Sequence, residues 1–199
     1  PHEPPPPPLH LHSRLRRQRQ MCIRDRNSAA EKSKHKIGNK WENFANFWRT
    51  TQLEYTWLRS LMKKHKNFWQ ITEDSLDKSM ETFQIDKSLR NDLLSLYKEL
   101  SPYPEVKNVL ENLKKKSFKL AILSNGTPEL LNHLVKSSDL ENLFDNIFSV
   151  EEVKIYKPDP KVYDIPVNKY KASKGEITFL SANTWDVSGA GNYGYNSIW

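Results

Sequence analysis

Phe118 to Gly126 reads FKLAILSNG, and the fold class follows from it. Leu120 to Leu123 form an unbroken apolar run, closed at once by Ser-Asn-Gly. A strand with one wet face alternates polar and apolar residues; a strand apolar on both faces belongs to a parallel sheet covered by helices. The flanking sequence keeps the matching rhythm. Residues 105–116 pattern as a helix before the run, and 128–137 as a helix after it. Then come the short apolar DNIFSV, the stretch YKPDPKVY opening another helix, the strand-like EITFLSA, a short helix and NSIW. Strands alternating with helices predict crossover units and a parallel sheet. Residues 102–199 are therefore expected to form an α/β core.

The first half is punctuated differently. In WENFANFWRTTQLEYTWLRSLM, Phe44, Trp48, Tyr55, Leu58 and Met62 fall at helical spacing, predicting a helix within residues 28–62. Residues 72–85 and 88–100 add two amphipathic segments. The first is expected to begin at Thr72, with Glu73 and Asp74 in its opening turn, where the helix dipole favours acids. Pro102 and Pro104 in SPYPEV then break the pattern and mark a boundary. An all-helical region, 27–101, thus precedes the α/β region.

Composition narrows the classes. A chain of 199 residues suffices for one good core or two small domains. No run of eighteen apolar residues occurs, so neither a membrane span nor a membrane partner is expected. No secretory signal with an apolar middle is expected either. The single cysteine, Cys22, excludes a disulfide framework and a cysteine-based zinc site, and points to a reducing, cytoplasmic setting. The net charge is +7, but residues 1–26 carry +4 of it, through Arg14, Arg16, Arg17, Arg19, Arg24 and Arg26 against Glu3 and Asp25. A nucleic-acid-binding domain keeps its charge on the folded part, so no nucleic-acid partner is expected. That head, PHEPPPPPLHLHSRLRRQRQMCIRDR, holds half of the prolines and has no helical or strand period. It is expected to be disordered, with a basic binding arm as the alternative. MCIRDR also resembles translated sequencing-adapter sequence, which would make the head non-native.

Chemistry-bearing residues fall into three clusters after strands: Ser124-Asn125, then Lys157, then Ser181, Asn183 and Asp186. Successive clusters are about 30 residues apart, roughly one crossover unit. Parallel sheets bind ligands at the carboxyl ends of their strands, so the spacing predicts that all three meet at one edge. Each has a plain alternative. Ser124-Asn125-Gly126 fits a turn capping the next helix. Lys157 fits a solvated surface lysine, and Asp186 fits a helix N-cap. A hydroxyl, a lysine and a carboxylate at successive strand ends favour a site.

WRTTQLEYTWLRSLM, AILSNG, YKPDPKVY and FLSANTWDVSGA together resemble the haloacid dehalogenase superfamily, and within it the type II (S)-2-haloacid dehalogenases. The resemblance runs from about Asn27 to Trp199. It implies a Rossmann-like parallel core beneath a helical cap, and hydrolysis of carbon–halide bonds. An aspartate displaces halide from C2 of a 2-haloalkanoate with inversion, and water hydrolyses the resulting ester to the (R)-2-hydroxyacid. Ser124 is implied to bind the substrate carboxylate or the nucleophile. Lys157 keeps the nucleophile ionised, as a cation within about 4–6 Å does. Ser181, Asn183 and Asp186 orient the water and pair with Lys157. Arg49 and Asn125 cradle the halide, Leu53, Phe68 and Trp185 form the apolar wall, and Tyr163 is a further active-site residue. Without the resemblance, Arg49 reads as a surface helix arginine and the aromatic residues as plain core.

No cofactor is implied, and no metal. Phosphatases of the superfamily hold magnesium with several carboxylates, whereas Asp186 stands with Ser181 and Asn183 and no second acid. A homodimer is compatible with the resemblance. The family's nucleophile stretch, resembling D-x-Y-G-T-L-F-D after an apolar strand, is missing. Asp25 in CIRDRN has no strand before it and no Gly-Thr after it. The chain is thus expected to be a fragment with a foreign head, truncated at its C-terminus and inactive. The alternatives are a superfamily phosphatase and a non-catalytic fragment with a basic tail.

Overall fold

The structure is a computed structural model that describes residues 24–25, 34, 36–98 and 101–199. The rest of the expected disordered head, and residues 28–33 of the expected first helix, lie outside the described residues.

Helix α1 (Trp41–Leu61) follows a 3-10 turn at Gly38–Lys40, where Gly38 takes φ +71. Its inward stripe runs Trp41, Phe44 and Trp48, then changes to Gln52 and Thr56, all buried. The apolar spacing read from the sequence holds through Tyr55, which packs beside Phe68 and Ile71, and fails after it. Leu58, Leu61 and Met62 lie on the surface, at 50%, 79% and 57% exposure. The second helix, α2 (Phe68–Phe83), starts four residues before the expected Thr72. Asn67 and Gln70 form a reciprocal capping box there, which satisfies two orphan N–H groups at once. Thr72 is instead buried in the α1–α2 contact and gives its hydroxyl proton to the Phe68 carbonyl (2.8 Å). Ser75 and Ser79 return theirs to Thr72 and Ser75 in the same way. These small self-satisfied residues let the two helices pack closely. Helix α3 (Arg90–Leu96) closes the cap core with Leu93, Leu94 and Leu96.

Beyond the boundary, Ser101–Pro102 (β2) pair antiparallel with Arg24–Asp25 (β1), so Asp25 stands in a two-residue strand. Helix α4 (Val106–Lys115) leads to β3 (Ala121–Ser124), α5 (Pro128–Lys136) and β4 (Asn146–Ser149). Strands β3 and β4 pair in parallel from Ala121↔Asn146 to Ser124↔Ser149. Helix α6 (Pro160–Tyr170) leads to β5 (Thr178–Leu180), α7 (Thr184–Tyr193) and β6 (Asn196–Ile198). Strands β5 and β6 pair in parallel from Thr178↔Asn196 to Leu180↔Ile198. The sequence predicted one sheet; among the described residues there are two parallel ladders with no ladder between them. What joins them at the strand ends is side-chain chemistry, described below.

Cap and core meet along a seam. Phe68 and Ile71 of α2 pack with Leu130, Leu134, Val150, Tyr156 and Val162. Polar contacts pin the α1–α2 loop to the same place. The Tyr156 hydroxyl donates to the Lys66 carbonyl (2.6 Å), and the Tyr156 N–H donates to Ser60 Oγ (3.1 Å). Glu151 takes one bond from the Phe68 N–H and one from His65 Nε2, at 3.3 and 2.9 Å.

Asp145 ties the β3–β4 unit together. Its carboxylate accepts from the Leu120 N–H (2.7 Å) and from Lys114 Nζ (2.9 Å), and its own N–H donates to the Leu120 carbonyl (2.8 Å). The Leu120 N–H and then Lys114 hold this carboxyl below its usual value. Such a group stabilises the fold above its unfolded pKa, near 3.9, and that contribution is lost as pH falls through the lower folded value. Asp145→Ala is expected to lower the thermal unfolding midpoint at neutral pH. The gap to the parent should close by about pH 2; a gap that persists there would contradict this assignment.

Candidate active site

The carboxylate of Asp186 gathers the site. Asn183 is the N-cap of α7, and Asp186 sits in the first helical turn. Asp186 is therefore not the cap, and its 5%-exposed side chain turns inward. Oδ2 accepts from Lys157 Nζ (3.0 Å) and from Ser181 Oγ (3.1 Å), while Oδ1 accepts from the Tyr163 hydroxyl (2.9 Å). Lys157 is equally buried, so it is not a solvated surface lysine. Its ammonium also lies 4.7 Å from the centre of the Phe179 ring, a cation–π contact. A buried ion pair repays its desolvation only when its surroundings are polar and well placed; here Ser181 and Tyr163 donate to the carboxylate, and the Phe179 ring faces the ammonium. Burial, and secondarily the Asp186 charge, push the Tyr163 phenol well above its usual value. The phenol therefore stays a neutral donor.

Lys157 also links the two ladders. Its backbone N–H donates to Asn125 Oδ1 (3.4 Å) after β3, while its side chain reaches Asp186 after β5. The N-cap Asn183 does not cap its own helix with its side chain. Its N–H donates to Ser181 Oγ (3.3 Å), and its Oδ1 accepts from Arg49 Nη2 of the cap (3.4 Å). Arg49, Asn183, Ser181, Asp186, Lys157, Tyr163 and Asn125 thus form one chain of contacts from the middle of α1 to both strand ends.

The other predicted site residues stand apart from that chain among the described residues. Ser124 Oγ accepts from the Gly126 N–H (3.1 Å), the turn geometry that was the plain alternative. Phe68 is buried in the seam, with its ring 6.4 Å from that of Tyr156. Leu53 is half-buried on α1, and its carbonyl accepts from Thr56 Oγ1 (2.6 Å). Trp185 stands edge-to-face with Trp57 at 5.6 Å.

Four residues at the site had not been singled out: Gln52, Trp57, Phe179 and Gly189. Gln52 had a signal, a polar residue four after Trp48 in an apolar stripe. Gly189 had none, although a Cβ there would lie 2.7 Å from both Pro158 Cβ and the Tyr163 hydroxyl. As for metals, both Asp186 oxygens are taken, and among the described residues no three His, Cys, Asp or Glu side chains cluster to hold an ion.

This geometry can be set beside known proteins. Residues 39–199 match the sequence model of the haloacid dehalogenase-like hydrolases. The chain belongs to that family. Within it, the chain resembles several (S)-2-haloacid dehalogenases. It is 42% identical to (S)-2-haloacid dehalogenase 1 of Pseudomonas sp. (strain CBS-3), over 88% of this chain and 78% of the relative. It is 39% identical to (S)-2-haloacid dehalogenase 4A of Burkholderia cepacia, over 88% and 77%. Among solved structures it resembles the L-2-haloacid dehalogenase of Xanthobacter autotrophicus with chloropropionic acid covalently bound. That match has a TM-score of 0.80 and 34% identity, over 88% of this chain and 71% of the other.

Two stability predictions follow from the packing. Asp186→Ala strands a buried lysine and is expected to cost about 3–5 kcal/mol by denaturant unfolding, more than the paired change Lys157→Met with Asp186→Leu. Gly189→Ala overpacks Tyr163 and Pro158 and is expected to cost about 1–3 kcal/mol; an unchanged denaturation midpoint would show that the α6–α7 contact yields freely.

Proposed function

We propose that the chain carries the site of an (S)-2-haloacid dehalogenase, which hydrolyses 2-haloalkanoates to (R)-2-hydroxyacids with release of halide. The observation that carries this reading is the bridge from Arg49 of the cap through Asn183 to the buried Lys157–Asp186 pair. It links two cations, Arg49 and Lys157, through Asn183 and Asp186, and an anionic substrate and a departing anion would both need such cations.

The chemistry runs in two steps. A carboxylate oxygen bonds to C2 while the C–halogen bond breaks, and the bonding pair leaves with the halide. Water then adds to the ester carbonyl carbon and the bond from that carbon to the ester oxygen breaks; one water proton goes to that oxygen, freeing the hydroxyacid, and the other is released to solvent as the carboxylate is restored. Lys157 holds the carboxylate ionised, and Ser181, Asn183 and Asp186 orient the water. Arg49 and the Asn125 amide receive the halide, because fixed donors must replace the water that an apolar pocket lacks. Ser124 binds carboxylate, Leu53, Phe68 and Trp185 line the wall, and Tyr163 holds Asp186. We read residues 27–101 as cap and 102–199 as core, and a cytoplasmic setting from the single cysteine.

A phosphatase reading is weaker. It requires magnesium held by several carboxylates, and Asp186 has already given both oxygens to Lys157, Ser181 and Tyr163. The 199-residue sequence contains no aspartate in the family's nucleophile motif. In-line positioning of an attacking carboxylate supplies about 7–11 kcal/mol of such a barrier. The 199-residue chain is therefore expected to release no chloride from (S)-2-chloropropanoate. The same chain joined to a family-type first strand with its aspartate is expected to release it with or without magnesium. In that joined chain, Lys157→Met should lower kcat about 100- to 1,000-fold. Turnover by the 199-residue chain that Asp25→Asn abolishes would overturn the inactive-head reading. An inert joined chain would sink the dehalogenase assignment.

A further inference from the structure

Gln52 is fully buried at the point where the stripe of α1 turns from aromatic to polar. Its carboxamide makes three bonds. Nε2 donates to Thr72 Oγ1 (2.7 Å), while Oε1 accepts from the Tyr97 hydroxyl (3.0 Å) and from Arg49 Nη1 (3.3 Å). The orientation of the amide follows from the donors. Thr72 gives its single hydroxyl proton to the Phe68 carbonyl, so toward Gln52 it accepts. The NH2 group must then face Thr72, and the oxygen must face Arg49 and Tyr97. Thr72 is itself fixed, because Trp48 Nε1 donates to its carbonyl (3.1 Å).

We infer that Gln52 is a positioning residue for the reaction at this site. It holds the Arg49 guanidinium by one nitrogen, so that the other meets Asn183 at the Lys157–Asp186 centre. This rests on the halide role proposed for Arg49. A long arginine side chain has many rotamers, and a pre-aimed donor loses less on receiving a developing anion. The acceptor is also neutral: an amide oxygen orients the cation without cancelling its charge, whereas a carboxylate in the same place would compete with the halide.

The test is chloride binding to the 199-residue chain, read from chloride-35 NMR line broadening, with folding checked by near-ultraviolet circular dichroism. The parent is expected to show saturable broadening that Arg49→Ala abolishes. Gln52→Met should stay folded and bind chloride about tenfold more weakly, the effect of losing one hydrogen bond to a charged group. Gln52→Glu keeps an acceptor oxygen, and should stay folded yet weaken chloride binding at least as much. A merely structural role predicts the reverse, with Gln52→Glu binding as the parent does. Folded Gln52 variants that bind like the parent, while Arg49→Ala does not, would overturn the inference and leave the halide role standing. A parent without saturable broadening, or an Arg49→Ala variant that binds normally, would remove the halide role and this inference with it. If Gln52→Met fails to fold, Gln52→Glu decides alone; if neither folds, Gln52 is structural and the inference is wrong.

Discussion

The buried ion pair between Lys157 and Asp186 is the constraint around which the α/β half is arranged. Two charges at 3.0 Å, each 5% exposed, are tolerated only with their surroundings fixed. Ser181 must sit two residues before the α7 cap to reach one carboxylate oxygen. Tyr163 must project from the first turn of α6 to reach the other. Gly189 must lack a side chain so that Tyr163 and Pro158 can lie against α7. An aromatic ring, Phe179, faces the ammonium where water otherwise would. The last strand unit thus has little freedom to drift from the Lys157 loop, although no ladder joins it to the β3–β4 pair among the described residues.

The cap depends on that pair less directly. Its own core is aromatic, built from Trp41, Phe44 and Trp48 against Leu76, Met80 and the leucines of α3. Toward Arg49, hydrophobic packing gives way to a buried polar seam of Gln52, Thr56, Thr72, Ser75 and Ser79. A polar seam of this kind is stable only when every group in it is paired. Its reward is geometric, since directional bonds hold a charged side chain at one place where greasy contacts would let it slide.

Much of this was legible in the sequence. The apolar run Leu120–Leu123 and the alternation of strand and helix after it carried the α/β organisation, whereas Lys157 lies eight residues beyond the end of β4 and Ser124 sits in its own turn. The cluster of small polar residues after Leu180 marked where the buried contacts around Asp186 gather. Other features were hidden for physical reasons. Thr72 looked like a helix start because acids follow it, but Asn67 with Gln70 makes a better cap than any feature at Thr72. Leu58 and Met62 kept helical spacing while lying on the surface, because spacing reports a stripe and not what covers it. Gln52 carries only a weak signal, its place four residues after Trp48 in the stripe of α1. Its burial depends on Tyr97 and Thr72, which reach it from elements far along the chain. Gly189 could not be found at all, since what it accommodates is a side chain on another helix.

The edge-to-face pair of Trp57 and Trp185 has a spectroscopic consequence. One indole belongs to the cap and the other to the last helix of the core, with ring centres 5.6 Å apart. Indoles this close couple their electronic transitions and exchange excitation, and both effects fall away steeply with separation. The protein therefore carries an intrinsic optical gauge of whether its two halves are together, and it needs no added dye to be read.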